Sequence, residues 1–150
     1  MRTNKIARVG IIAALYASIT IALAPISYGM VQVRISEAMT ILPFIFPESI
    51  LGLFIGCLIA NVYGGMVLDI FFGSLATLIA AYMTSKMPHI WLAPLPPVVV
   101  NAVVVGLILK FAVDAPLLLS IIYVGIGQMI ACYILGLSLF YILKKYNWYK

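Results

Sequence analysis

From Val9 to Ala24 no charged residue interrupts the chain, and the run ends at Pro25, which cannot continue a helix. This pattern predicts a first helix over 9–24. A less apolar stretch, 25–34, contains Ser27, Tyr28, Gly29 and Gln32 and predicts a loop. The next apolar segment, 35–46, is bent by Pro43 and ended by Pro47. As an α-helix those residues reach only about 18 Å, short of the roughly 30 Å of a hydrocarbon core. A short, Pro-broken segment at membrane depth must be buried in protein or line a cavity. Further helices are predicted over 48–63, stopping at Gly64-Gly65, and over 69–85. A Pro-rich loop, 86–97, then leads to a helix over 98–112, and the turn Asp114-Ala115-Pro116 to a last helix over 117–143.

Composition turns these apolar segments into a membrane protein. Of 150 residues, 65% are hydrophobic and 9% charged, and the mean hydropathy is +1.20. Soluble domains are roughly 45–50% apolar and about 25% charged. A soluble globular domain is excluded, and so is a disordered chain. At about 20 residues per crossing, the expected fold is a single all-α integral membrane domain, 1–150, a compact bundle of six transmembrane helices. An even number of crossings puts both termini on one side. That side then carries Arg2, Lys5, Arg8, Lys86, Lys144, Lys145 and Lys150, against Arg34 and Lys110 opposite. The positive-inside rule predicts N-in/C-in. The basic start resembles a signal peptide with a cleavage site at Ala22-Leu23-Ala24, but Pro25 and the unbroken apolar character beyond it predict a retained first span.

The net charge of +5 comes from single residues at the ends of apolar runs, not from a patch, so no nucleic-acid partner is expected. Cys57 and Cys132 lie inside apolar runs and read as small buried hydrophobes. There is one histidine, His89, no GxSxG and no Walker A sequence. The sequence therefore predicts no enzyme, no catalytic residue, no metal and no cofactor, and no ATP hydrolysis by this chain alone.

Gly52, Gly56, Ala60 and Gly64 recur at steps of four and predict close helix packing inside the bundle. The first helix carries two such lines, Gly10, Ala14, Ser18 and Ala22, and beside it Ala13 and Ala17. Two small stripes exceed the needs of one neighbour, which points to a partner in the membrane as well.

A charge at the bilayer centre costs about 2.5–3.5 kcal/mol on insertion scales, so the polar residues of the spans need a reason. Glu37 lies three residues from Arg34, either in a local ion pair or as a pocket carboxylate. Asp69 opens the fourth helix, either as a cap or, through its line with Gly73, Ala76, Thr77 and Ala80, as a carboxylate facing the bundle. Asn101 and Gln128 are expected in interhelical hydrogen bonds or on a ligand, and Asn61, near the outer end of the third helix, at the pocket. Glu48 is expected in solvent at the turn between the second and third helices. Arg34, Glu37, Asn61, Asp69 and Gln128 fall in the outer half, where Tyr28, Tyr63, Phe71 and Tyr123 are expected as aromatic walls. Such a set suits a small, flat, neutral or cationic ligand with a hydrogen-bonding edge. An anion fits poorly, because only Arg34 offers positive charge.

The stretch VRISEAMTILPFIFPE at 33–48, followed by GLFIGCLIAN at 52–61 and DIFFGSLATLIAA at 69–81, resembles the QueT family of queuosine-precursor transporters. The resemblance covers nearly the whole chain. It implies a substrate-binding membrane subunit (S-component) of an energy-coupling factor importer in a bacterial plasma membrane. A transmembrane coupling subunit (EcfT-like) and two ATPase subunits would supply the energy. Small residues on the first helix, here Ala13 and Ala17 with Ala14, would dock on the coupling subunit. The loop 25–34 would cover the solute, and the whole subunit would tilt to deliver it. The implied solute is a 7-deazaguanine: the 7-aminomethyl or 7-cyano form, or queuine. Its N1–H and 2-amino group form a two-donor edge that matches one carboxylate, Glu37 or Asp69. Asn61, Asn101 or Gln128 would meet the 6-oxo group, and an aminomethyl cation would suit the second carboxylate. The alternatives are an S-component for another vitamin and a structural membrane protein without a ligand.

Overall fold

A computed structural model describes residues 2–28 and 32–147. Every regular element among them is helical. The chain runs through α1 (Arg2–Ala22), a single turn α2 (Ala24–Ser27), a 3-10 helix (Ile35–Phe44), α3 (Ser49–Gly64) and α4 (Ser74–Ser85), and then α5 (Leu95–Val113), α6 (Leu117–Met129) and α7 (Leu137–Lys145). A π-helical turn, Asp69–Gly73, leads into α4, and a second, Ile130–Gly136, joins α6 to α7 without a break. Among the described residues, three helices are long and apolar enough to cross a membrane: Thr3–Ala22, Leu95–Val113 and Leu117–Lys145. Ile35–Phe44, Ser49–Gly64 and Asp69–Ser85 are shorter apolar helices.

Several boundaries differ from expectation for local reasons. Pro25 does not end a helix in a loop; it occupies the first turn of α2, where a missing N–H costs nothing. Pro96 and Pro97 likewise begin α5, so that helix starts inside the expected loop. Gly29, expected in the 25–34 loop, lies outside the described residues. The segment expected as a bent α-helix over 35–46 is 3-10 throughout Ile35–Phe44. At about 2.0 Å per residue a 3-10 helix reaches farther than an α-helix of the same length. α3 ends as predicted, with Gly65 at φ 76° as its left-handed cap.

The bundle exposes large apolar side chains and buries polar ones. Ile11, Leu15, Ile55, Ile59, Phe72, Ile79, Phe111 and Ile134 are exposed, whereas Thr20, Ser36, Glu37, Asn61, Thr77 and Asn101 are buried. An apolar exterior around a core that mixes these polar groups with apolar residues such as Ile41 and Leu53 suits a lipid solvent. α1 lies along α3, and close approach explains the small residues. A Cβ on Gly52 would stand 2.9 Å from the Val9 carbonyl oxygen, and one on Gly56 would stand 2.8 Å from that of Ala13. The predicted α3 stripe is thus intramolecular. Ala13 and Ala17, expected to dock on another subunit, are buried, while Ala14 on the neighbouring line is exposed. Gly10, Ser18 and Ala22 share that exposure, and a Cβ on Gly10 would meet nothing within 4 Å.

Glu48 is not simply solvated. Its carboxylate accepts a 2.5 Å bond from Arg8, whose guanidinium also stacks 4.1 Å from the Phe46 ring centre. This ties the start of α1 to the turn before α3. Cys57 and Cys132 are buried thiols as expected.

Candidate functional site

The segment before the 3-10 helix delivers Arg34 into the bundle, where it is 5% exposed. Its guanidinium donates to Asp69 Oδ2 at 2.7 Å and to Asn61 Oδ1 at 3.0 Å. The local Arg34–Glu37 ion pair therefore does not form; Arg34 pairs with Asp69 instead. Asn61, near the end of α3, donates to the Asp69 carbonyl at 2.9 Å and to Ser74 Oγ at 3.2 Å. Asn61 thus ties Arg34, the Asp69 backbone and Ser74 together. Asp69 makes no side-chain cap; it is buried in the π turn, on the bundle-facing line that the sequence also allowed. Gly73 makes that possible, because a Cβ there would collide with Asp69 Oδ1.

The pair is incompletely satisfied. Arg34 Nε and Asp69 Oδ1 are buried without a hydrogen-bond partner among the described residues. These are the two atoms that a second bond of a bidentate guanidinium–carboxylate pair would use. Buried polar atoms of this kind are rare and need an explanation. Beside them lies a cavity of about 320 Å³, lined by Tyr28, Gln32, Gly64, Met66, Asp69, Val105, Ile108, Leu109 and Val113. Its walls are mostly aliphatic with a few polar groups, Tyr28, Gln32 and Asp69, the usual make-up of a small-molecule site.

Tyr28 closes one side. Its ring lies 5.4 Å from the Arg34 guanidinium and its hydroxyl donates to the Ala60 carbonyl at 2.5 Å. Burial pushes the Tyr28 hydroxyl above its ordinary pKa, with Arg34 opposing the shift. Gln32 was not singled out from sequence, yet it lines the cavity with its backbone left-handed at φ 45°. Non-glycine residues rarely adopt that region, and such strain clusters at functional sites. Tyr63, Phe71 and Tyr123, expected as walls, are exposed on the outside of the bundle.

A second polar cluster lies deeper. Glu37, 1% exposed, accepts from the Tyr16 hydroxyl through Oε1 and from Asn101 Nδ2 at 3.2 Å through Oε2. Asn101 also donates to Gln128 Oε1 at 3.4 Å. Thr40 and Cys132 lie against each other at its edge, 3.5 Å apart. Tyr16 went unnoticed in the sequence; its signal was a hydroxyl on the same face of the first helix as Ala13, Ala17 and Thr20. The six polar residues expected in the spans thus divide. Asp69 lines the cavity and holds Arg34 and Asn61 behind it, and Glu37, Asn101 and Gln128 form a separate group.

The family model described as QueT transporter matches residues 6–145. The chain belongs to the QueT transporter family. The queuosine precursor transporter QueT of Lactococcus lactis subsp. cremoris (strain MG1363) is 28% identical over 149 residues, covering 89% of this chain and 88% of that protein. No solved structure matches the chain. Membership in a transporter family agrees with the absence of catalytic motifs noted above. Three of the sequence blocks that carry the QueT resemblance end or begin at the site: Arg34 in the first, Asn61 closing the second and Asp69 opening the third.

Proposed function

We propose that this chain binds a 7-deazaguanine precursor of queuosine from the outside and serves as the substrate-binding subunit of an energy-coupling factor importer. The observation that carries this reading is the half-open Arg34–Asp69 pair beside an aliphatic cavity. A flat base can lie between Tyr28 and the α5 residues Val105, Ile108 and Leu109. Its N1–H and 2-amino donors then face the Asp69 carboxylate, and its 6-oxo group takes a donor from the Gln32 amide or from Arg34 Nε. Asn61 holds Arg34 and Asp69 in place. The relative's name, a queuosine precursor transporter, supports the same solute class.

On this reading the single domain crosses a bacterial plasma membrane six times with both termini in the cytoplasm. The three short apolar helices complete the count, protected from lipid where they are interrupted. Energy comes from a transmembrane coupling subunit and two ATPase subunits. The coupling subunit docks on the exposed α1 line of Gly10, Ala14, Ser18 and Ala22, because Ala13 and Ala17 are already covered by α3.

Native mass spectrometry of the detergent-purified protein tests the solute. A one-to-one adduct is expected with at least one of 7-cyano-7-deazaguanine, 7-aminomethyl-7-deazaguanine and queuine, and none with guanine, riboflavin or biotin. Absence of all three adducts would overturn the assignment.

A further inference from the structure

A second cleft lies at the end of the bundle opposite the cavity. Phe44 ends the 3-10 helix that Arg34 precedes, and Lys144 lies in the last turn of α7. Phe44, Ile45, Phe140 and Lys144 line an open cleft of about 300 Å³. The Phe44 and Phe140 rings meet edge to face, 6.2 Å apart. Phe140 and Lys144 are one turn apart on α7 and so share a face. The cleft thus joins three apolar side chains to a single cation.

Nothing within the chain neutralises that cation. The sequence has four acidic side chains. Arg8 holds Glu48, Arg34 holds Asp69, Lys110 holds Asp114, and Glu37 is buried against Tyr16 and Asn101. None is left for Lys144. The neighbouring lysines lie over rings: the Lys86 ammonium is 5.6 Å from the Tyr82 ring centre, and that of Lys145 is 6.0 Å from the Tyr146 ring centre. Among the described residues Lys144 has neither a carboxylate nor a ring, only the cleft.

Its depth in the membrane says what can fill that cleft. Lys144 and Lys145 close the apolar span Leu117–Lys145, which puts the Lys144 ammonium where hydrocarbon gives way to headgroups. Trp91 and Tyr141, both exposed and 6.3 Å apart, mark the same level, as aromatic side chains do at a membrane interface.

We propose that this cleft holds one anionic phospholipid, its phosphate on the Lys144 ammonium and the start of an acyl chain against Phe44, Ile45 and Phe140. The lining calls for a ligand that is negative at one end and apolar at the other, and the bilayer supplies one at this depth. A soluble anion would satisfy Lys144 and leave the apolar side chains uncovered. The site is separate from the solute cavity and independent of the solute that the cavity takes. On the topology proposed above it faces the inner leaflet, where basic clefts between spans take anionic headgroups.

Native mass spectrometry of the delipidated protein, titrated with phosphatidylglycerol and with phosphatidylcholine, tests this. The wild type is expected to hold one phosphatidylglycerol at least about fivefold more tightly than phosphatidylcholine. Lys144→Gln is expected to remove that preference, and Lys145→Gln, next in the chain but outside the cleft, to keep it. Equal losses in the two variants would mean attraction spread over the basic end of the bundle and would overturn the site, as would a wild type that does not distinguish the two lipids. Glycerophosphate, which has the phosphate without the chains, is expected not to displace the bound lipid. Displacement at equal concentration would make this a soluble-anion site and overturn the lipid reading.

Discussion

Gly73 lies one turn after Asp69, and its missing Cβ leaves room for the carboxylate to fold against the π turn. A methyl group at 73 would displace the far end of a side chain rather than a backbone segment. Gly73→Ala is therefore expected to lower the unfolding temperature less than Asp69→Ala does, because a shifted carboxylate still faces the Arg34 guanidinium, and to cost solute affinity at least about tenfold, because Asp69 Oδ2 leaves its 2.7 Å position on Arg34. Parallel melting and binding curves check this; equal damage to both would mean that the carboxylate position matters only for packing. Asp69→Ala strands the buried Arg34 guanidinium and is expected to cost about 3–5 kcal/mol of stability and to abolish binding. The apolar pair Arg34→Met with Asp69→Leu is the sharper variant. Buried ion pairs replaced by well-packed apolar side chains are often neutral or stabilising, so this double variant is expected to melt no lower than wild type while binding no solute. A double variant that still binds would remove the pair from the site.

Among the elements, α1 shows how two stripes of small residues on one helix are told apart. The face with Ala13, Tyr16 and Ala17 is closed by α3, and a Cβ on Gly56 would stand 2.8 Å from Tyr16 Cβ. Gly56→Val must push backbone against backbone and is expected to destabilise by about 1–3 kcal/mol. Ala14→Leu adds bulk to the exposed line and is expected to leave stability and solute binding unchanged while reducing uptake by cells that carry the coupling subunit. Radiolabelled uptake against binding separates the two; unimpaired uptake would move docking to another face. The 3-10 helix is the other telling element. Pro43 cannot donate a backbone bond, and the ten residues Ile35–Phe44 carry both Glu37 and the approach of Arg34 to the site. Arg34 caps this helix and reaches Asp69, while Glu37 in its first turn reaches Asn101.

For the whole molecule, six apolar helical segments and an apolar exterior set a concrete test of topology. Asn4→Cys and Asn147→Cys, made singly, are expected to react with a membrane-impermeant maleimide only from the cytoplasmic side. Cys57 and Cys132 are buried and provide a quiet background. Labelling of either introduced cysteine from outside would break the six-crossing arrangement. Much of this level was written in the order of the residues. Unbroken apolar runs and their prolines and glycines set where helices start and stop, because the backbone in lipid has no other way to satisfy its hydrogen bonds. The list of polar side chains that must face inward followed from the same cost, and Arg34, Glu37, Asn61, Asp69, Asn101 and Gln128 are all buried. Pairing among them was beyond the reach of the sequence. Arg34 is three residues from Glu37 and thirty-five from Asp69, yet it bonds to Asp69, because the helical phase of Ile35–Phe44 and the packing of α3 against the π turn decide which atoms meet. Tyr63, Phe71 and Tyr123 were misjudged for the same reason: their depth is a property of the chain, but the direction they face depends on which neighbour each helix leans against. Composition and order thus determined a helical bundle for lipid with its polar side chains turned inward, while their division into an open ion pair and an inner carboxylate arose only in three dimensions.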